Sequence, residues 1–387
     1  MAKKKTEDGV ASFDEITGMD SEFEKNGILV RDFNKESTIS EWIDTGVYAV
    51  NGIISGRLVG GGVPCGRMME ISGKSGTGKS FFMRRIAKGA QDAGYLVIYI
   101  DTENAETVEG FLNSGLDVYD RHKFQYFNTA SIDAVETLIA KKCKAIAGYN
   151  SKVPENERIK AIIVLDSLGM LRTKTEMENN DKGEYSADMG RRAQNIGRLL
   201  RTANDCAMLA DVGIIFTNHV YDDPSPFASK TFDKSSGGNK VAYVVSTSIQ
   251  IRSSMNKEEN KDASGMSDLA YGENLKIRAK KTRFVIPFLE ANLYIDFRRG
   301  LSKYSGLLDI AEKIGFVKKN GQKYQLKTGE DADGEPVYGE EIGKASDFDN
   351  EKFWEEHIAA LDEEFQKECS LSRVPPKIKS VSDDDDK

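Results

Sequence analysis

Residues 66–82 read GRMMEISGKSGTGKSFF, and Gly73-Lys74-Ser75-Gly76-Thr77-Gly78-Lys79-Ser80 within them satisfies G-x-x-x-x-G-K-[ST] in full. The flanks give the pattern its meaning. The apolar run before it predicts a strand over 66–73, and FFMRRIAKGAQDAG behind it predicts a helix over 80–93. In such a unit the glycines let the backbone curl so that successive N–H groups face one point. The helix N-terminus adds partial positive charge there. A triphosphate suits this cradle, with Lys79 reaching the β and γ oxygens and the Ser80 hydroxyl ligating Mg²⁺. Gly73, Lys74, Ser75, Gly76, Thr77, Gly78, Lys79 and Ser80 are thus the candidate residues for ATP and Mg²⁺. The bland alternative is a glycine-rich turn with a chance lysine, and the strand and helix flanks argue against it.

Working outward, LVIYIDTE (96–103), HKFQYFN (122–128), KAIIVLDS (160–167), VGIIFTNH (212–219) and VVSTSIQIR (244–252) are β-rich runs bounded by turn residues. Helical stretches are expected at 131–147 and 186–210. Apolar strands alternating with helices predict an α/β core with a mainly parallel central sheet flanked by helices. The core is expected over 38–300, behind an N-terminal arm at 1–37. A polar insert at 253–274 separates IQIR from LKIRAKK and is expected to decorate a hairpin. A small α/β appendage follows at 301–368, with a last helix over 353–367, and the chain ends in a flexible acidic tail at 369–387.

The 387 residues carry a net charge of −8, which excludes a protein that coats nucleic acid by bulk charge. Contact with DNA must come from local basic patches. The apolar runs are too short to span a bilayer, and no secretory h-region follows the N-terminal lysines. Cys65, Cys143, Cys206 and Cys369 are scattered, without metal-ligand spacing, and are expected to be reduced thiols.

Asp166 ends the run IIVLD, where a magnesium-holding aspartate is expected, although strands also end at aspartates that only cap the next element. In YIDTEN a carboxylate could orient and deprotonate the attacking water; Glu103 and Asp101 both qualify, and the pattern does not choose. His219 ends GIIFTNH and could sense the γ-phosphate or be an ordinary polar strand end.

The order of these features resembles the RecA-type strand-exchange recombinases over roughly 40–325, with most likeness to the phage UvsX type. The resemblance implies Glu103 as the catalytic carboxylate and His219 as the sensor, where bacterial RecA has glutamine. It implies that Lys281 and Arg283, in KTR before Pro287-Phe288, reach a neighbouring subunit's ATP, and that Gly237-Gly238-Asn239 closes the second DNA-binding loop. The tyrosine that stacks on adenine in relatives is replaced by Gly110, leaving Phe111 as the substitute. The insert at 253–274 has no obvious counterpart in bacterial RecA.

DNA is then expected at two loops. The first, 169–189, carries Arg172 and Lys174 and runs into a helix with Arg191; the second, 221–236, carries Phe227, Lys230 and Phe232. Cations for phosphates beside aromatics for bases suit single strands. Read without the resemblance, the first is a charged solvated helix and the second a surface loop. The resemblance implies a cytoplasmic, DNA-dependent ATPase that forms filaments on single-stranded DNA and pairs it with homologous duplex. A single-strand-binding protein and a loading mediator are its implied partners. The alternatives are a hexameric motor of the same fold, a helicase or KaiC-like ATPase, and a non-catalytic mediator.

Overall fold

The computed structural model describes residues 39–182, 189–221, 234–235, 239–254, 272–349 and 351–369. All elements below lie in the unit that begins at Glu41. In chain order they are β1 (Trp42–Ile43), α1 (Tyr48–Ser55), β2 (Val63–Pro64), β3 (Met68–Gly73), α2 (Lys79–Asp92), β4 (Leu96–Asp101), α3 (Val108–Asn113), β5 (Phe124–Asn128) and α4 (Ile132–Asn150). Next come β6 (Ala161–Asp166), α5 (Lys174–Lys182), α6 (Met189–Ala210), β7 (Gly213–Tyr221), β8 (Lys234–Ser235), α7 (Asn239–Val244), β9 (Thr247–Ser254), β10 (Gly272–Lys281), β11 (Glu290–Asp296) and β12 (Gly300–Leu301). The C-terminal part holds α8 (Leu307–Lys313), β13 (Val317–Asn320), β14 (Lys323–Glu330), β15 (Pro336–Lys344) and α9 (Glu351–Cys369).

The central sheet runs β12-β11-β10-β9-β3-β7-β6-β4-β5. From β9 to β5 every neighbouring pair is parallel, and β10, β11 and β12 extend the sheet antiparallel beyond β9. β6 reads AIIVLD and is buried along its whole length, as a parallel strand covered on both faces must be. Alternation sorts the side chains. Met69 and Ile71 enter a core with α1 and α2, whereas Met68 enters a second core with α4, α6 and α7.

Crossing back over β3 puts a switch point at the P-loop strand, and Gly73 pairs in register with His219 on β7 and Ile251 on β9. Asp101 likewise pairs with Asp166. The carboxyl ends of the parallel strands thus share one edge, which is where ligands bind in open sheets of this kind.

β9 and β10 pair as far as Asn274 opposite Ser254, so the insert between them is carried on an antiparallel pair. The C-terminal part is a three-stranded antiparallel sheet, β13-β14-β15, with α8 and α9. α9 seats Trp354, Leu361 and Phe365 in the core beside α1. Asp362 accepts from the Leu58 backbone N–H at 2.6 Å.

Candidate active site

α2 begins without a side-chain cap. Its N-cap is Gly78 at φ +78°, whereas Thr107 and Ser131 cap α3 and α4 through their hydroxyls. The first N–H groups of α2 are therefore left at the loop mouth, where an anion would complete them. A Cβ on Gly73 would stand 2.6 Å from Thr77 Oγ1 and 2.7 Å from the Ile251 carbonyl oxygen, so β3 can enter the loop this closely only through glycine. Gly76, at φ +76°, faces open space.

Lys79 is buried and donates from Nζ to the carbonyls of Gly73 at 3.1 Å and Lys74 at 2.8 Å. Burial lowers its pKa, against the upward pull of Asp166 and Glu103. Phosphate oxygens are better partners for that ammonium than two carbonyls.

Asp166, at the end of β6, is 6% exposed. Its Oδ1 accepts from the Thr217 hydroxyl on β7, and Tyr99 Oη lies 3.3 Å from its Oδ2. The same Tyr99 hydroxyl lies 3.1 Å from Glu106 Oε1. Burial, with Asp166 and Glu106 beside it, pushes the Tyr99 pKa far up, so it remains a donor. Burial also raises the Glu106 pKa, while Arg84 on α2 holds both Glu106 oxygens at 2.7 and 2.8 Å and pulls it down. This pair ties the P-loop helix to the segment behind β4.

Asp101 and Glu103 separate by what they touch. Asp101 is 1% exposed and its carboxylate accepts from the backbone N–H groups of Glu103, Asn104 and Glu106 and from the Tyr126 hydroxyl. It shapes the turn. Glu103 is partly open, with Oε1 accepting from Ser167 Oγ at 2.5 Å and lying 3.1 Å from His219 Nε2. His219 packs over Gly169, where a Cβ would come within 3.1 Å of the ring. The P-loop, Asp166, Glu103 and His219 thus stand on one sheet edge.

Asp166 and the Ser80 hydroxyl are hard oxygen donors of the kind Mg²⁺ takes. Among the described residues no group of His, Cys, Asp and Glu could cage a metal alone. Mg²⁺ itself keeps several waters and shares phosphate oxygens.

Other expected residues fall elsewhere. Phe111 is 4% exposed, and its ring meets Tyr99 and Phe124 at 5.0 Å and Tyr126 at 5.9 Å. Its ring is packed into the core among these aromatics, and it also lines a cavity of about 360 Å³ with Thr107, Val108, Tyr119 and Arg121. Lys281 donates to the carbonyls of Ala242 and Val245 at 2.6 Å each, closing the C-terminus of α7. Its pKa is lowered by burial and then by Arg283.

The segment expected as the first loop contains α5. Thr173 and Glu176 satisfy each other's backbone N–H groups at 3.1 and 2.7 Å, a capping box whose T-x-x-E signal is in the sequence. Arg172 is exposed and Lys174 pairs with Glu178 at 3.6 Å. Arg191 lies exposed on α6. The neighbouring Arg192 donates to the carbonyls of Leu171 and Gly169 and braces the chain after β6. Arg172, Arg192, Gly169, Met170 and Glu176 line a cavity of about 350 Å³. Phe227, Lys230, Phe232, Gly237 and Gly238 lie outside the described residues, and Asn239 begins α7.

Residues 13–302 match the family model described as the RecA N-terminal domain. The chain belongs to the RecA family. Residues 304–369 match a second model, the C-terminal domain of the bacteriophage T4 recombination and repair protein. Protein RecA of Campylobacter hominis is 29% identical over 385 residues, covering 99% of this chain and 96% of its own. Protein RecA of a Nitratiruptor species is 28% identical over 316 residues, covering 81% and 82%. Protein RecA of Campylobacter jejuni is 26% identical over 316 residues with the same coverage. As a RecA-family recombinase with a UvsX-like C-terminal domain, the chain forms filaments on single-stranded DNA and carries out homologous pairing and strand exchange. No helix among the described residues is long and apolar enough to cross a membrane.

Proposed function

We propose that this recombinase hydrolyses ATP at a site completed by the next protomer of the filament. The observation that carries the reading is the convergence of Glu103, His219, Asp166 and Lys79 on one sheet edge beside an uncapped helix N-terminus. The backbone of residues 73–80 cradles the phosphates, and Lys79 moves from the Gly73 and Lys74 carbonyls onto the β and γ oxygens. Asp166 and Ser80 hold Mg²⁺, which, when bound, neutralises charge on the transferring phosphoryl group. Glu103, oriented by Ser167 and His219, aligns the attacking water and takes its proton. Contact between His219 and the γ-phosphate signals along β7 toward the loop at 221–236.

Lys281 and Arg283 reach the neighbour's phosphates from the edge of β10 and stabilise charge in trans. For Lys281 this means leaving the C-terminus of α7. The loops at 169–189 and 221–236 hold single-stranded DNA through Arg172, Lys174, Arg191, Lys230 and the aromatic Phe227 and Phe232, with Gly237, Gly238 and Asn239 closing the second. The N-terminal arm at 1–37 docks on the adjacent protomer. A single-strand-binding protein and a loading mediator assist in the cytoplasm. No observation favours the hexameric motor.

The test is ATP hydrolysis with and without single-stranded DNA. Lys79→Ala is expected to cut turnover by about 10²-fold or more, as loss of a main charge stabiliser does. Retained turnover would remove the assignment.

A further inference from the structure

Glu70 lies inside the sheet on the strand that feeds the P-loop, and the hydrolytic site above does not use it. Alternation along β3 directs Glu70 to the face covered by α6 and α7, the side on which Met68 is packed. It is 2% exposed, and both oxygens are engaged: Oε1 accepts from Asn218 Nδ2 on β7 at 2.8 Å, and Oε2 from Ser248 Oγ on β9 at 2.6 Å. Asn218 and Ser248 are themselves 0% and 2% exposed, and both are neutral. Burying a carboxylate on neutral donors is costlier than filling the same volume with leucine, so packing does not account for it.

The addresses of the two donors are informative. Asn218 directly precedes His219, and His219 pairs in register with Gly73. Ser248 is the register partner of Lys281 on β10. One carboxylate on the P-loop strand therefore grips the strand carrying the sensor and the strand lying against the trans cation. Ladder hydrogen bonds align strands, and a charge-assisted clamp across three of them sets their relative height more tightly.

We propose that Glu70 is a positioning residue for ATP hydrolysis: by holding Asn218 it fixes His219 level with the P-loop, and by holding Ser248 it fixes the strand against which Lys281 stands, three residues nearer the opposite edge of the sheet, for the neighbouring protomer's site. The proposal rests on the roles of His219 and Lys281 given above. It predicts a defect in turnover and not in nucleotide binding, because the phosphate cradle belongs to β3 and α2 alone, whereas the clamp sets what approaches it.

The experiment is steady-state hydrolysis saturated with single-stranded DNA, with KM for ATP and the thermal unfolding midpoint measured on the same samples. Glu70→Gln keeps an acceptor for Asn218 and offers an N–H to the Ser248 oxygen; its kcat is expected within about threefold of the unaltered protein, since both hydrogen bonds survive without the charge. Glu70→Leu fills the space without either bond, and kcat is expected to fall about tenfold or more with KM changed less than about twofold, a misplacement effect. If Glu70→Leu does not fold, Ser248→Ala removes one donor and is expected to lower kcat about threefold at unchanged KM. A lowered midpoint with kcat unchanged in Glu70→Leu or Ser248→Ala would overturn the proposal. So would a loss carried by KM, which would place the damage in the cradle. If the unaltered protein shows no DNA-stimulated hydrolysis, the reading of the site itself fails; if it is stimulated and Glu70→Leu is equally so, only the clamp fails.

Discussion

Asp101 and Glu103 sit on the same strand end, yet one is spent on backbone N–H groups and the other faces the site. Glu103→Gln is therefore expected to lower hydrolysis by about 10²-fold or more while leaving the unfolding midpoint in place. Asp101→Ala instead leaves several partly buried donors without their acceptor and is expected to cost about 2 kcal/mol of stability, read by chemical denaturation. The D-x-E pattern could not separate them, because the donors that claim Asp101 include Tyr126 on the neighbouring strand. Tyr99 and Thr217 on Asp166, and Ser167 on Glu103, were hidden for the same reason. Titration adds a further residue-scale prediction. Burial pushes the thiols of Cys65 and Cys143 up to about 12. The folded chain thus keeps protons that the unfolded chain releases above pH 9, and their contribution to stability falls as pH rises from there. Denaturation midpoints measured from pH 8.5 to 10.5 should decline, and less steeply in Cys143→Ala; an identical slope would remove that thiol from the account.

At the scale of elements, the strand–loop–helix unit around the P-loop was plain in the sequence. The run MMEIS is apolar enough to be buried, and the glycines mark where the backbone must turn or approach closely. Gly73→Ala forces a methyl against the Ile251 carbonyl and is expected to cost about 2 kcal/mol or more and to weaken nucleotide binding. Gly76→Ala meets no neighbour and pays only for its positive φ, about 1 kcal/mol. Comparing the two by denaturation and by nucleotide titration separates crowding from backbone strain. α5 was less legible. Its acidic and basic residues read as a charged solvated helix whereas the resemblance implied a loop there, and the T-x-x-E cap that starts the helix decides for the helix. The burial of Phe111 was not legible because its packing depends on β5, which pattern alone does not place beside it.

Over the whole molecule, alternation of strands and helices revealed the parallel core, whereas the strand order and the antiparallel extension depend on pairings between distant segments. The C-terminal part is bound into the core by α9. Phe365→Ala is expected to destabilise by about 3–5 kcal/mol, a loss that calorimetry would detect as a lower unfolding temperature. Lys281 shows what one protomer cannot: it caps α7 in its own chain, and its proposed work lies in another. A head-to-tail assembly that shares its sites can be tested by mixing. Glu103→Gln supplies intact Lys281 and Arg283, and Lys281→Ala/Arg283→Ala supplies intact Glu103. Each alone should be nearly inactive on single-stranded DNA, and an equal mixture should recover about one quarter of full turnover, the share of interfaces with both halves intact. A mixture no more active than its two components would contradict a site shared between protomers.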